Sequence, residues 1–414
     1  MRVRRPTTRS HRPRGLTVKM KTYFGVSALA TFARVLPQAV LTPILLVKGL
    51  QYDSIIWTQI VYMVTLTFAE FPSGTLADRF SRKKLYVLSI LVFGCAYGVV
   101  WFGEGLIIMC VAWAIYALGT ALNSSTMDIH FATILRDDER SFKRFVALDH
   151  NVVLAATIVS AVATTTLYPL FGAGLYAVSI GCFMIAAVYG ALALPKTPIV
   201  RDTDDDDPPK VIESLRRDPW LIFVILLFAL TQLAFTPFFQ MWQMVFLDAD
   251  LDAGWFGPIF IAFQLINIGA NAIWARLAHR QRLSFALLAA ISAIGVGVLV
   301  SDGIWTVLLV VIIPFPLFLY ANSLAFSLQS RAPAALMSSM NALMGTASTV
   351  GALATLVLCL VGLQITTPGV FLSSSLIVFA VVSAGLLVIA IAIARRLTAA
   401  SDSNALQPVS EAAN

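Results

Sequence analysis

Charge is what this 414-residue sequence has least of. Its 29 Lys and Arg and 22 Asp and Glu make up 12% of the chain, against about 25% in soluble domains. So sparse a polar complement cannot cover a water-soluble globule, and 58% of the residues are hydrophobic. Cysteine and histidine, four of each, are equally scarce. Cys95, Cys110, Cys182 and Cys359 lie inside apolar runs, with no CxxC pair and no His at metal-ligand spacing. Neither a disulfide framework nor a metal centre is expected, and no cofactor is implied. No phosphate-cradling G-x-x-x-x-G-K-[ST] loop is present, so energy for any work would come from a gradient rather than a nucleotide. No A-x-A cleavage site follows the Arg-rich start, and the apolar run after Tyr23 is too long for a removable signal. Residues 1–20 read as a basic cytoplasmic tail, with Met20 as a second candidate start.

What the sequence has instead is long apolar runs. A helix crossing about 30 Å of hydrocarbon needs roughly 20 mainly apolar residues. Splitting the runs at charged, Gly or Pro breaks gives twelve segments. The first six are 21–48, 54–77, 85–102, 106–133, 146–170 and 174–194; the second six are 220–247, 255–275, 284–301, 304–328, 338–362 and 369–394. The expected fold is all-α and membrane-embedded, with 12 transmembrane helices in two six-helix halves, 21–194 and 220–394. A Pro-rich acidic linker, 195–219, carries Asp204–Asp207 between them, and 395–414 forms a second tail.

The net charge of +7 would suggest nucleic acid in a soluble protein, but placement decides otherwise. Of the 29 basic residues, 27 fall in the tails and loops on one side of the twelve segments. The opposite loops carry Glu104, Asp248, Asp250, Asp252 and Asp302. Basic loops stay on the cytoplasmic side, so both termini are placed in the cytoplasm, with the cell membrane as location.

Charged, His, Asn and Gln side chains are costly against lipid. The third, sixth, ninth and twelfth segments contain none, which suggests four sets of three helices with the third at the periphery. In the others, polar residues align at 100° per residue. The first segment carries Ser27, Thr31, Arg34, Gln38 and Thr42; the fourth, Tyr116, Thr120, Ser124 and Asp128; the seventh, Gln232, Thr236, Gln240 and Gln243. The eighth carries Gln264, Asn267 and Asn271, the tenth Tyr320, Ser323 and Ser327, and the eleventh Asn341, Ser348 and Thr355. One such stripe is as well explained by interhelical hydrogen bonding as by a water-filled wall. Stripes in both halves favour a shared central cavity.

One loop is sharply patterned: Gly74-Thr75-Leu76-Ala77-Asp78-Arg79-Phe80-Ser81-Arg82-Lys83-Lys84. It resembles the signature loop of the major facilitator superfamily, G-x-x-x-D-R-x-G-R-K/R, between the second and third helices, with Ser81 where the family usually has Gly. A degraded copy follows at 271–280, where Arg276 lies 197 residues after Arg79. The resemblance covers about residues 20–396 and implies a monomeric secondary transporter working by alternating access. Gly74, Asp78, Arg79, Arg82 and Lys83 would form the gating loop, with Glu70 salt-bridging beside it. Two family patterns of proton-driven drug exporters are absent: the helix 4 Arg, whose place is Ile115 if Gly119 is the reference, and a Gly-Pro-Gly stretch in helix 5. The run Glu70-Phe71-Pro72-Ser73-Gly74 looks like exporter members.

Arg34 and Asp128 are the buried charges expected to matter, because a charge in a membrane helix needs a partner or a task. Asp128 is the candidate proton carrier, with Arg34 tuning it and His150 a further titratable candidate; a permanent Arg34–Asp128 ion pair is the structural alternative. The candidate substrate cavity comprises Gln38, Thr31, Tyr116, Ser124, Gln232, Phe239, Gln240, Gln243, Gln264, Asn267, Asn271, Tyr320 and Asn341. The expected activity is proton-coupled efflux of a small amphiphilic drug or metabolite, with uptake of a sugar, amino acid or organic acid as runner-up. Partners are the substrate, protons and the lipid bilayer, without nucleic acid. A lipid-modifying membrane enzyme would need clustered acids, for which Asp137-Asp138-Glu139 is the one candidate.

Overall fold

The computed structural model describes residues 14–124, 126–135, 138–195, 213–215, 218–274, 276, 281–332 and 336–405. The basic tail before residue 14, Asp137, linker residues 196–212, Ala275, residues 277–280 and the tail after residue 405 lie outside them. The described residues are mostly helical, without a strand, and helices fall on all twelve expected runs. Ten stretches are long and apolar enough to cross a membrane. Arg140–Ala193 counts once among the ten although the 3-10 turn Gly172–Gly174 divides it, and Tyr52–Arg79 is not among them.

Eight runs are single helices: α3 (Tyr52–Arg79), α4 (Arg82–Phe102), α7 (Glu139–Phe171), α8 (Leu175–Ala193), α11 (Phe256–Trp274), α12 (Gln281–Val300), α15 (Met337–Ile365) and α16 (Pro368–Ala405). The other four are broken in two, and they are the first of each set of three. The first run is α1 (Arg14–Val35) and α2 (Leu41–Val47); the fourth, α5 (Leu106–Asn123) and α6 (Met127–Leu135); the seventh, α9 (Pro219–Leu230) and α10 (Gln232–Asp248); the tenth, α13 (Ile304–Ile312) and α14 (Pro314–Arg331). Pro37 and Pro314 explain two of these breaks, since proline supplies no N–H to the helical ladder. At the fourth run Ser124 is extended, with φ −59° and ψ 135°. Within a membrane such irregular backbone is stable only where protein or a wet cavity satisfies it.

At Pro37 other helices do so. Ser160 Oγ donates to Phe32 O at 2.9 Å, Tyr97 OH to Arg34 O at 2.5 Å, and Thr164 Oγ1 to Leu36 O at 2.6 Å. Thr164 and Ser160 of the fifth run and Tyr97 of the third are thus spent on the broken first run. Tyr97→Phe should lower stability by about 1 kcal/mol, the worth of one such bond. Thermal unfolding in detergent measures it, and an unchanged midpoint would remove the repair role.

The chain divides into two compact units, Met1–Ile44 with Val64–Asp202, and Leu45–Met63 with Thr203–Asn414. Inside the first, α1 packs on α7 and α8, and α4 packs on α5 and α8. Inside the second, α9 and α10 pack on α15 and α16, and α12 packs on α14 and α16. In terms of runs these are 1–5, 1–6, 3–4, 3–6 and then 7–11, 7–12, 9–10, 9–12, the same pairing offset by six. The weak sequence repeat is therefore a strong packing repeat.

Charges at the helix ends serve as caps. Lys83 Nζ donates to Leu194 O, the last carbonyl of α8, at 2.7 Å, where a cation also suits the helix dipole. Asp218 accepts from Trp220 N at 3.1 Å and holds Arg331 at 3.4 Å, with the guanidinium 5.2 Å over the Trp220 ring. Asp138, the centre of the acidic triplet, caps α7 by accepting from Ser141 N. Its carboxylate is taken up as a cap, which weakens the one candidate for an enzymatic site.

Candidate functional site

Each unit holds a cavity beside its helix breaks. The first, of about 350 Å³, is lined among others by Ser27, Thr31 and Arg34 of α1, Asn123, Ser124 and Thr126 at the break of the fourth run, and Asp128 of α6. Tyr86 of α4 and Asp149 of α7 complete its polar wall, with Tyr23 opposite Asp149. One guanidinium and two carboxylates therefore face one space. Among the described residues neither Asp128 nor Asp149 makes an ion pair with Arg34 or any other cation. The permanent Arg34–Asp128 pair is absent, and Asp149 Oδ1 is buried without a hydrogen-bond partner. Tyr23 OH is the side-chain hydrogen-bond partner of the Asp149 carboxylate. Asp128 is exposed rather than buried as expected, and Arg34 and Asp149 are half-buried, so the three charges border an accessible cavity rather than a sealed core.

Asp149 escaped the sequence reading, which chose its neighbour His150. The signal was present: Asp149 and Ser160 are eleven residues apart, hence within about 20° on a helix, and Ser160 faces α1. His150 is exposed and does not line the cavity.

The second cavity, of about 340 Å³, lies within the second unit. Gln232, Phe235, Thr236, Phe239 and Gln240 of α10 form one wall, directly after the break of the seventh run. Gln59, Tyr62 and Met63 of α3 and Phe318 of α14 form others. Among the described residues no charged side chain lines it. Gln59 was not among the expected cavity residues. Thr58 is fully buried and donates to Ile55 O at 2.7 Å, so it is spent locally.

The other candidate residues line neither cavity. Tyr116 stacks on Tyr97, with centroids 5.9 Å apart, and on Phe93 at 5.0 Å. Gln38 sits in the turn after Pro37, and Gln243 is buried. Asn322 Nδ2 donates to Asn271 Oδ1 at 2.7 Å, and Asn271 Nδ2 to Asn267 Oδ1 at 3.3 Å, a chain joining α14 and α11. Gln264 is half-buried and Asn341 exposed. Tyr320 is fully enclosed against Phe379, and Ser323 and Ser327 are buried beside it. Tyr320 thus packs on α16, while Ser323 and Ser327 border a small separate space beside Leu387 and Ile391. Glu70 is exposed on α3, and Arg82 is half-buried at the start of α4. Gly74, Asp78 and Arg79 lie in the last turns of α3, where the side chains of 71–79 are outside the described part. The described residues contain no group of three or more His, Cys, Asp or Glu able to hold a metal.

A family model described as the Major Facilitator Superfamily matches residues 23–356. No curated protein matches the chain by sequence. Among solved structures, a bacterial homologue of the iron transporter ferroportin in an inward-facing state superposes with a TM-score of 0.71 at 13% identity, over 91% of this chain and 99% of that one. The POT family transporter PepTSo and the nucleoside transporter NupG each give 0.67 at 13% identity, over 90% of this chain and 98% of theirs. At such identities the likeness is one of fold.

Proposed function

This chain belongs to the major facilitator superfamily and is a multi-pass membrane transporter, and we infer from that premise that it couples proton movement to export of a small amphiphilic organic compound. The observation that carries this reading is the unpaired trio of Arg34, Asp128 and Asp149 around one cavity. With both carboxylates ionised the trio has a net charge of −1. A proton on either carboxylate brings it to zero, and release of that proton restores the charge. Both carboxylates line the same cavity, so the exchangeable proton is assigned to the pair rather than to Asp128 alone.

The uncharged amide and aromatic cavity of the second unit suits the body of an organic substrate. Alternating access would expose each cavity to one side at a time, with Asp78, Arg79 and Arg82 as the gating charges. Lys83 is better assigned to the end of α8. Efflux is proposed on the likeness of the Glu70–Gly74 run to exporter members, in a monomer with both termini cytoplasmic.

Flux into inverted membrane vesicles tests the reading. An imposed pH gradient, acid inside, should accelerate uptake of exported compounds several-fold, and collapsing the gradient should abolish the acceleration. Flux indifferent to the gradient would overturn proton coupling, and movement driven only by the opposite gradient would overturn export.

A further inference from the structure

We propose that the cavity of the second unit binds an uncharged, planar ring system bearing amide-type groups on its edge. This deepens the reading above by naming the chemical class of the compound, and it rests on that reading only for the claim that what binds is also carried.

The absence of charge is the first ground. A carboxylate or ammonium entering a space walled by Phe, Tyr, Met and Gln would leave water without gaining a counter-ion. A neutral group does not meet that penalty.

The amides are the second ground. Gln232 is engaged at both ends from within: its Nε2 donates to Ser348 Oγ at 2.7 Å, and its Oε1 accepts from Thr236 Oγ1 at 3.1 Å. Gln59 and Gln240 are different. Both line the cavity, both are half-buried, and neither has a hydrogen-bond partner among the described residues. Each offers two donors and one acceptor. A carboxamide or lactam edge matches a glutamine amide reciprocally, donating to its oxygen while accepting from its nitrogen. A hydroxyl or ether satisfies only part of that set, and an ionised group wastes half of it.

Ring geometry is the third ground. Phe235 and Phe239, one turn apart on α10, lie parallel within 7° with centroids 6.0 Å apart, and Phe318 stands 5.5 Å from Phe235. Phe239 is 49% exposed, which leaves an aromatic face uncovered at the cavity. A flat ring stacks on such a face, whereas a saturated ring meets it edge by edge. At about 340 Å³ the space accommodates a bicyclic compound.

The test is equilibrium binding of four matched probes to the purified full-length protein in detergent: 2-naphthamide, 2-naphthoate, 2-naphthamidinium and decahydro-2-naphthamide. Naphthamide should bind at least tenfold more tightly than each of the others, and Gln240→Leu or Gln59→Leu should each remove about tenfold of that affinity. Gln240→Glu, nearly isosteric, should shift preference from the amide to the amidinium. Naphthamide affinity unchanged in both leucine variants, or naphthoate or naphthamidinium binding equally tightly and with the same dependence on Gln240, would overturn the proposal. Should a leucine variant fail to fold, the Gln240→Glu preference decides: a variant that still prefers the amide overturns it. Vesicle flux driven by a pH gradient in a protein that does not bind naphthamide would sink this inference and leave proton coupling standing. Binding without such flux would do the reverse.

Discussion

Asp149→Asn is expected to abolish pH-gradient-driven transport while sparing exchange of substrate across de-energised vesicles. Asparagine keeps the shape of the side chain and part of its hydrogen bonding but cannot take a proton. The groups that surround the carboxylate are Tyr23 and Arg34 on α1, Tyr86 on α4 and Asp128 on α6, with His150 beside it on α7. Coupling energies of about 1–3 kcal/mol correspond to roughly 5–150-fold, so accumulation should fall by a factor in that range. Asp128→Asn should behave alike. If the two acids share one proton, the double variant should lose little more than either single one, because residues acting as a unit are not additive. Full gradient-driven transport in Asp149→Asn would return the task to Asp128, and in both single variants it would end the proton-carrier assignment.

Gly351→Val should be the most damaging single change to folding. A Cβ at Gly351 would lie 2.6 Å from Ala229 O and 3.2 Å from the Ala229 carbonyl carbon. Both obstacles are backbone, so no side-chain rotation relieves them, and α15 would have to move off α9. Overpacking of this kind costs about 1–3 kcal/mol even where side chains yield, and a rigid backbone places valine at the upper end or beyond it. Ser348 and Ala352 flank the same turn, the one bonded to Gln232 and the other lining the second cavity. The shift should therefore weaken substrate binding as well. Gly345→Ala, in the same helix with nothing within 4 Å of its Cβ, is the control; it should gain about 0.5–1 kcal/mol from helix propensity. Thermal unfolding of the two variants in parallel measures the contrast, and equal midpoints would refute the close approach.

Gly351 also marks where the sequence stops being readable. Apolar runs, basic loops and the absence of costly residues from four segments depend on composition and order, and these placed the helices and the superfamily likeness. Contact depends on partners. In the linear sequence Gly351 is one of 24 glycines, and only the fold brings Ala229 against it. The polar stripes had the same weakness. Periodicity told which residues share a face, but not what the face meets: Thr31, Arg34 and Asp128 meet a cavity, Ser160 and Thr164 meet a broken helix, and Tyr320 meets Phe379. The breaks in α1–α2 and α5–α6 compounded this, because a 100° rule carried across an irregular turn loses its phase. Asp149 was within reach of the same rule and was passed over for an adjacent histidine.

The hydroxyls that mend the break at Pro37 set an order on biosynthesis. Leu36 O, and the second bond to Phe32 O, which already accepts from Leu36 N, wait for Thr164 and Ser160, each 128 residues further along the chain. At about 5–20 residues per second the ribosome needs roughly 6–26 s to supply them. Through that interval the first segment resides in the membrane with its discontinuity met by water, lipid headgroups or the insertion machinery. A nascent chain arrested before residue 160 should therefore hold its first segment less firmly than one arrested after residue 171.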